Sequence, residues 1–252
     1  MKELLYSRNA VYEALRAGRR QAFSLLVAEG AQEKGRLAEI QRMAAAARIR
    51  IDRVTRTRLD NIASGHQGVA LEVEAYPYAN LVDILELAAD RREEPFILIL
   101  DTLQDPQNLA TLLRTAEISG VHGVLLPLRH TVSVTPAVVN ASSGASEHLL
   151  IAQTNLAQAI EELKERGVWV AGLEGGEGAR DIGSFRLDGP LALVVGSEGD
   201  GMRDLVRKNC DVLLSLQMKG KIESLNAAVA GSIALYLAMQ ARTGRSSNPV
   251  QP

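Results

Sequence analysis

The sequence holds a single cysteine, Cys210, in 252 residues. That excludes an intrachain disulfide framework and suits a reducing cytoplasm. The four histidines are scattered and form no Cys/His cluster of zinc-binding spacing, so no metal site is expected. No stretch reaches the ~18 uninterrupted apolar residues of a membrane helix, and MKELLYSRNAVYEAL lacks the apolar run of a signal peptide. Neither a membrane protein nor a secreted one is expected. Three catalytic signatures are also missing. G-x-G-x-x-G appears nowhere, since Gly176 and Gly178 lead to Asp181, and Gly199 and Gly201 lead to Asp204. G-x-x-x-x-G-K-[ST] and G-x-S-x-G are absent too. A nicotinamide oxidoreductase is therefore a remote reading, and Cys210 is read as a packing residue rather than a nucleophile.

The length and the 46% hydrophobic content suit a catalytic domain plus a smaller module. Charge separates the two parts. Residues 1–78 hold 13 Lys and Arg against 9 Asp and Glu, while the remainder holds 15 against 21. Arg42, Arg48, Arg50, Arg53, Arg56 and Arg58 fall in one short span that could track a phosphate backbone or simply form a solvated surface. The front reads as an α/β/α unit. A helix is expected over Asn9–Ala17, stopped by Gly18, then a strand in FSLLVAEG and a helix over Glu33–Ala47. The strand Ile49–Val54, a helical turn at Leu59–Ile62 and the strand Val69–Glu74 follow. Residues 79–94 read as a linker, helical then charged.

From Pro95 the pattern alternates apolar strands with amphipathic helices, which predicts a mostly parallel α/β sheet. PFILILD is a buried strand. Asn108 can cap the helix that follows, in which Leu109, Leu112, Leu113 and Ala116 share a face. Strands are expected at Val121–Pro127, Val168–Leu173, Leu191–Val195 and Val212–Leu216. A long Ala-rich helix begins near Ser224, and the tail from residue 244 is expected to be disordered. Ligands of such sheets sit beyond the carboxyl ends of the strands. Three groups fall at such places: Asn108 with Arg114, Gly196 with Glu198, and Ser224, Leu225 and Asn226. Taken singly, capping, surface ion pairing and solvated loop charge account for each of them.

In order and content, DPQNLATLLRTAEISGVHGVLLP, LALVVGSEGDGM and LSLQMKGKIESLNAAVAGSIALYLA resemble the three motifs of the SpoU (TrmH-type) RNA ribose 2'-O-methyltransferases. SRNAVYEALRAG, FSLLVAEG and LDNIASGHQGVAL resemble that family's substrate-binding module, which is related to the ribosomal protein L30e fold. Ser7 stands where relatives often carry glycine, and Gln217 where they carry proline.

The resemblance implies an L30e-like RNA-binding domain over 1–78 and a methyltransferase domain over 95–243 whose chain forms a deep trefoil knot. It implies S-adenosylmethionine held by Gly172, Gly196, Leu216, Met218 and Leu225. There the two glycines let backbone approach the adenosine. Arg114 would orient phosphate and stabilise charge, since guanidinium stays protonated. Asn108 and Asn226 would position the ribose, Ser224 would bond across the motifs, and Glu198 would fix its loop or orient Arg114. The implied partners are RNA, ribosomal RNA guanosine ahead of transfer-RNA guanosine or a ribosomal adenosine, and a second copy of the chain. A non-catalytic RNA-binding protein of the same fold is the alternative from another class.

Overall fold

A computed structural model describes residues 2–129, 131–176, 178–199, 201–222 and 224–246. The chain divides into two compact units, Met1–Pro77 with Ser133–His148, and Tyr78–Val132 with Leu149–Pro252.

The first unit begins with strand β1 (Lys2–Tyr6), which the sequence did not announce, and helix α1 (Arg8–Ala17). Strand β2 (Ala22–Ala28), helix α2 (Arg36–Ala46), strand β3 (Arg50–Val54), helix α3 (Arg56–Asp60) and strand β4 (Val69–Glu74) follow. They form a four-stranded sheet in the order β1-β4-β2-β3, with β2 and β3 parallel and the other pairs antiparallel. Ser7, between β1 and α1, has φ 75° and ψ 152°, a region that glycine alone enters without strain. Gly18 ends α1 in the left-handed conformation, with its N–H donating to Ala14 O.

Residues 133–148 belong to this unit rather than to the chain around them. Arg20, with its side chain fully enclosed, donates to Glu3 Oε2 at 2.6 Å and to the equally enclosed Glu147 Oε1 at 2.7 Å. Tyr76 Oη donates to Ser146 O at 2.8 Å, and burial pushes its hydroxyl up to about 12. A Cβ on Gly144 would lie 2.6 Å from Glu13 Cβ, so the segment packs directly on α1.

The second unit starts with helix α4 (Leu81–Arg91), which carries a full capping box between Asn80 and Asp83. The sequence suggested a linker here. Instead Leu81, Ile84 and Ala88 are buried in the core, and a side chain at Gly123 would collide with Ile84 at 2.4 Å. Strand β5 (Phe96–Leu100), helix α5 (Pro106–Ile118) and strand β6 (Gly123–Pro127) come next. Helix α6 (Pro136–Ala141) lies in the first unit, capped by Thr135. The chain returns with strand β7 (Leu150–Thr154), helix α7 (Leu156–Glu165), strand β8 (Trp169–Leu173) and the two-residue strand β9 (Arg180–Asp181). Strand β10 (Leu191–Val195), helix α8 (Asp204–Asn209), strand β11 (Val212–Ser215) and helix α9 (Ala227–Ser246) complete it.

The sheet order is β7-β6-β5-β10-β8-β11-β9, and every neighbouring pair is parallel. This is the mostly parallel α/β architecture that the alternation predicts. α9 lies against α5, so closely that a Cβ on Gly231 would meet Leu112 Cδ2 at 2.6 Å. It also runs through residues 244–246, where disorder was expected; the rest of that tail lies outside the described residues.

Candidate active site

The carboxyl ends of β8, β10 and β11 open onto one cleft of about 470 Å3. Leu173, Glu174 and Gly175 come from β8 and its loop, Gly196 to Gly199 and Gly201 from the loop after β10, and Leu214 to Leu216 and Met218 from β11 and its loop. Ser224, Leu225, Asn226, Ala227 and Ala230 come from the start of α9. Seven of the expected site residues therefore share this cleft: Gly196, Glu198, Leu216, Met218, Ser224, Leu225 and Asn226. Gly172 does not line it. That glycine is buried, and a Cβ there would meet Met202 Cε at 2.7 Å and Leu213 Cδ2 at 3.0 Å, so its smallness serves packing behind the wall. Gly196 lines the cleft for a reason other than ligand approach alone. A side chain there would lie 2.3 Å from the Gly201 carbonyl carbon, across the turn closed by Ser197 N–H to Gly201 O at 3.0 Å and Gly201 N–H to Ser197 O at 3.2 Å.

Two helix starts differ from expectation, with a chemical consequence. Asp105, not Asn108, caps α5, accepting from Gln107 N at 2.9 Å. Asn226, not Ser224, caps α9, its Oδ1 accepting from Val229 N at 3.1 Å. Asn108 is thus released from capping, and its Nδ2 donates to Glu198 Oε1 at 3.0 Å. Asn226 Nδ2 donates to the same Glu198 oxygen and, at 3.2 Å, to Asn108 Oδ1. One residue from each of the three sequence motifs meets here. A carboxylate receiving two amide donors is held in one orientation at the cleft rim.

A second cleft of about 460 Å3 shares Ser197, Glu198 and Gly201 with the first. Thr102, Leu103, Gln104, Asp105, Asn108, Met202 and Arg203 complete it. Asp101, at the end of β5, is fully buried and accepts from Arg203 N at 2.8 Å and from Arg203 Nε at 2.7 Å. Pattern reading passed over this pair, although a lone acid ending an apolar strand was its signal. Thr102 has φ 59°, a strained backbone for a β-branched residue that costs on the order of 1–3 kcal/mol.

Arg114 lies on the exposed face of α5 and lines neither cleft. Cys210 is no nucleophile by its surroundings: burial pushes its thiol up to about 12, and Sγ donates to Val206 O. Among the described residues no group of three or more His, Cys, Asp or Glu could hold a metal, and no helix is long and apolar enough to cross a membrane.

A parallel sheet with an asparagine–glutamate–asparagine cluster at its strand ends defines an α/β enzyme whose ligand cleft is built from loops. Residues 95–236 match the SpoU rRNA Methylase family, and residues 4–79 match the RNA 2'-O ribose methyltransferase substrate binding family. The chain belongs to the SpoU family of RNA methyltransferases. A protein of Bacillus subtilis (strain 168) bearing the name TrmH family tRNA/rRNA methyltransferase YacO is 44% identical over 253 residues, covering 98% of this chain and 97% of its own. A similarly named protein of Staphylococcus haemolyticus (strain JCSC1435) is 40% identical over 92% of this chain and 93% of its own. The fold is shared with the SpoU methyltransferase AviRb of Streptomyces viridochromogenes, crystallised with AdoMet, at a TM-score of 0.79 and 23% identity over 96% of this chain and 91% of that one. An AdoMet-bound rRNA methyltransferase of Sinorhizobium meliloti has a TM-score of 0.76, 23% identity, and coverage of 95% and 87%.

Proposed function

We propose that the protein transfers a methyl group from S-adenosylmethionine to a ribose 2'-hydroxyl of RNA, on a guanosine of large-subunit ribosomal RNA. The carrying observation is the 470 Å3 cleft with the Asn108, Glu198 and Asn226 cluster on its rim. Its volume is that of a small-molecule site, ~300–1,000 Å3. Leu173, Leu216, Met218 and Leu225 offer apolar faces for adenine, while the backbone of the Gly196 and Leu216 loops offers hydrogen-bonding groups. Bound there, the cofactor supplies a sulfonium methyl, which the 2'-oxygen takes as the carbon–sulfur bond breaks.

The 2'-hydroxyl must shed its proton as it attacks, so charge develops at that oxygen. Asn108 and Asn226 hold Glu198 still and orient the ribose, and Ser224 steadies the loop that carries Leu225. Arg114 offsets the developing negative charge and grips the neighbouring phosphate, as a permanent cation can. Because it lines neither cleft of its own chain, we assign it to the site of a second copy. Val229, Ile233 and Tyr236 form an exposed apolar stripe at helical spacing on α9, with exposed Ile118 on α5. This surface supports a homodimer. The basic excess of residues 1–78 and a groove lined by Arg56, Asp60, Ser64, Gly65, His66 and Gln67 support recruitment of RNA by the first unit, in the cytoplasm.

The test is incubation with labelled S-adenosylmethionine and separated ribosomal and transfer RNAs from cells lacking the protein, followed by mapping of the modified ribose. Label on a 2'-oxygen of large-subunit RNA is expected. Label confined to transfer RNA reassigns the substrate, and no label on any ribose refutes the reaction.

A further inference from the structure

We propose that the second cleft receives the target nucleotide, swung out of its RNA stack, with Arg203 holding its phosphate and Gln104 reading the edge of its base. This rests on the methyl transfer proposed above. The two clefts share the wall of Ser197, Glu198 and Gly201. If the methyl donor fills one, an acceptor ribose in the other meets it across the Asn108–Glu198–Asn226 cluster, in which Asn226 lines the first cleft, Asn108 the second and Glu198 both. The second cleft, about 460 Å3, has room for a single nucleotide.

Its lining has the chemistry that a nucleotide needs. Arg203 is anchored twice on buried Asp101, through its backbone N–H and its guanidinium, yet the side chain remains 48% exposed. A guanidinium has five N–H donors, and Asp101 engages those on Nε and Nη2. Those on Nη1 make no hydrogen bond among the described residues and can bond a phosphate from a fixed position, so little side-chain entropy is lost on binding. Gln104 is exposed on the lip, and its amide makes no hydrogen bond among the described residues. An amide presents a donor and an acceptor side by side, the pattern that matches a base edge. Apolar Leu103 and Met202 can bear a base face. Strained Thr102 fixes the loop on which Gln104 sits, and its backbone is tied down further by Val132 N to Leu103 O at 3.0 Å. Sequence-specific RNA recognition works on unstacked bases, whose edges a side-chain amide can then reach.

The experiment has two arms. In the first, the full-length protein is mixed with S-adenosylhomocysteine and total RNA from cells lacking the protein, crosslinked by ultraviolet light, and its RNA-bearing peptides are mapped. Crosslinks within residues 101–108 and 197–206 are expected, with loss of the former in Gln104→Trp, which fills the lip. In the second arm, Gln104→Ala lowers kcat/KM for RNA about tenfold, the worth of a lost base contact, and Gln104→Trp abolishes turnover. Both keep wild-type affinity for S-adenosylhomocysteine. Arg203→Lys, which retains the charge beside Asp101, raises KM for RNA with little change in kcat. Crosslinks found only outside these segments, or undiminished kcat/KM in Gln104→Trp, overturn the proposal. Wild-type protein that crosslinks through 101–108 but methylates no ribose refutes the reaction and leaves the nucleotide cleft standing.

Discussion

Asn226 Nδ2 donates to Asn108 Oδ1 at 3.2 Å although 118 positions separate the two residues. Both bond to Glu198, and Asn226 also caps α9 through its oxygen. The two jobs of Asn226 can be separated. Asn226→Asp keeps the capping oxygen but sets a second carboxylate against Glu198, so methyl transfer falls about ten- to a hundredfold, the worth of two hydrogen bonds, with little change in melting temperature. Asn226→Ala loses both, and adds about 1 kcal/mol of lost stability from the cap. Equal melting temperatures for the two variants would count against the capping role.

Gly196→Ala places a Cβ 2.3 Å from the backbone of Gly201. Backbone cannot swing aside like a side-chain tip, so the Ser197–Gly201 turn opens. Calorimetry should show at least about tenfold weaker cofactor binding, equivalent to ~1.4 kcal/mol, in a protein that still unfolds cooperatively.

Ser7→Gly should stabilise the protein by about 1 kcal/mol, because the strain at φ 75° outweighs the extra freedom glycine gains on unfolding. Urea midpoints measure this directly, and an unchanged or lower midpoint contradicts it.

The buried pair Arg20 and Glu147 predicts an asymmetric pattern. Arg20→Met leaves an enclosed carboxylate without its cation and costs about 3–5 kcal/mol, whereas Arg20→Met with Glu147→Leu costs less. Burial already pushes the Glu147 carboxyl upward, with Arg20 pulling against it. Without Arg20 the folded state favours the protonated acid. The deficit of the single variant therefore shrinks as pH falls from 8 toward 5, which thermal melts across that range would reveal.

His122 gives a pH dependence of opposite sense. Its Nδ1 accepts from Phe96 N at 3.0 Å, so the buried ring is neutral, and Nε2–H donates to Glu93. Burial lowers its pKa from the ordinary 6.5, against a smaller upward pull from Glu93. Below 6.5 the unfolded chain binds a proton that the folded chain refuses, so stability is full above that value and is lost on acidification. The loss is at most ~1.4 kcal/mol per pH unit until the folded pKa is reached. His122→Gln should flatten that slope between pH 6.5 and 5.

Much of the second unit was legible because its strands β5, β6 and β10 are buried on both faces. Leu191–Val195 was placed to the residue, and Val69–Glu74 likewise in the first unit. What sequence missed has physical reasons. β1, KELLY, has one buried residue and too short an alternation to register. Residues 79–94 carry so many charges that their buried face of Leu81, Ile84 and Ala88 was read as a linker. At α5 the cap Asp105 and the Glu198-bonded Asn108 lie three residues apart, and at α9 one residue, Asn226, does both jobs two positions beyond the serine that the sequence also offered. Only geometry tells Asp105 from Asn108, or Ser224 from Asn226. The packing of Met202 and Leu213 against Gly172 is a demand of the fold that no local sequence signal announced.

The placement of β10 between β5 and β8 has a consequence for how the chain acquires activity. Those two strands are synthesised first and do not pair with each other; each pairs with β10. The middle of the sheet thus stays open on the ribosome until residue 195 has emerged, and the cleft waits further for Asn226. Closure over such separations is slow, and it exposes apolar strand edges in the meantime. Nascent chains cut short before α9 should therefore carry the groove of the first unit but an unfinished cleft in the second, so that the front unit is complete before the proposed site can form.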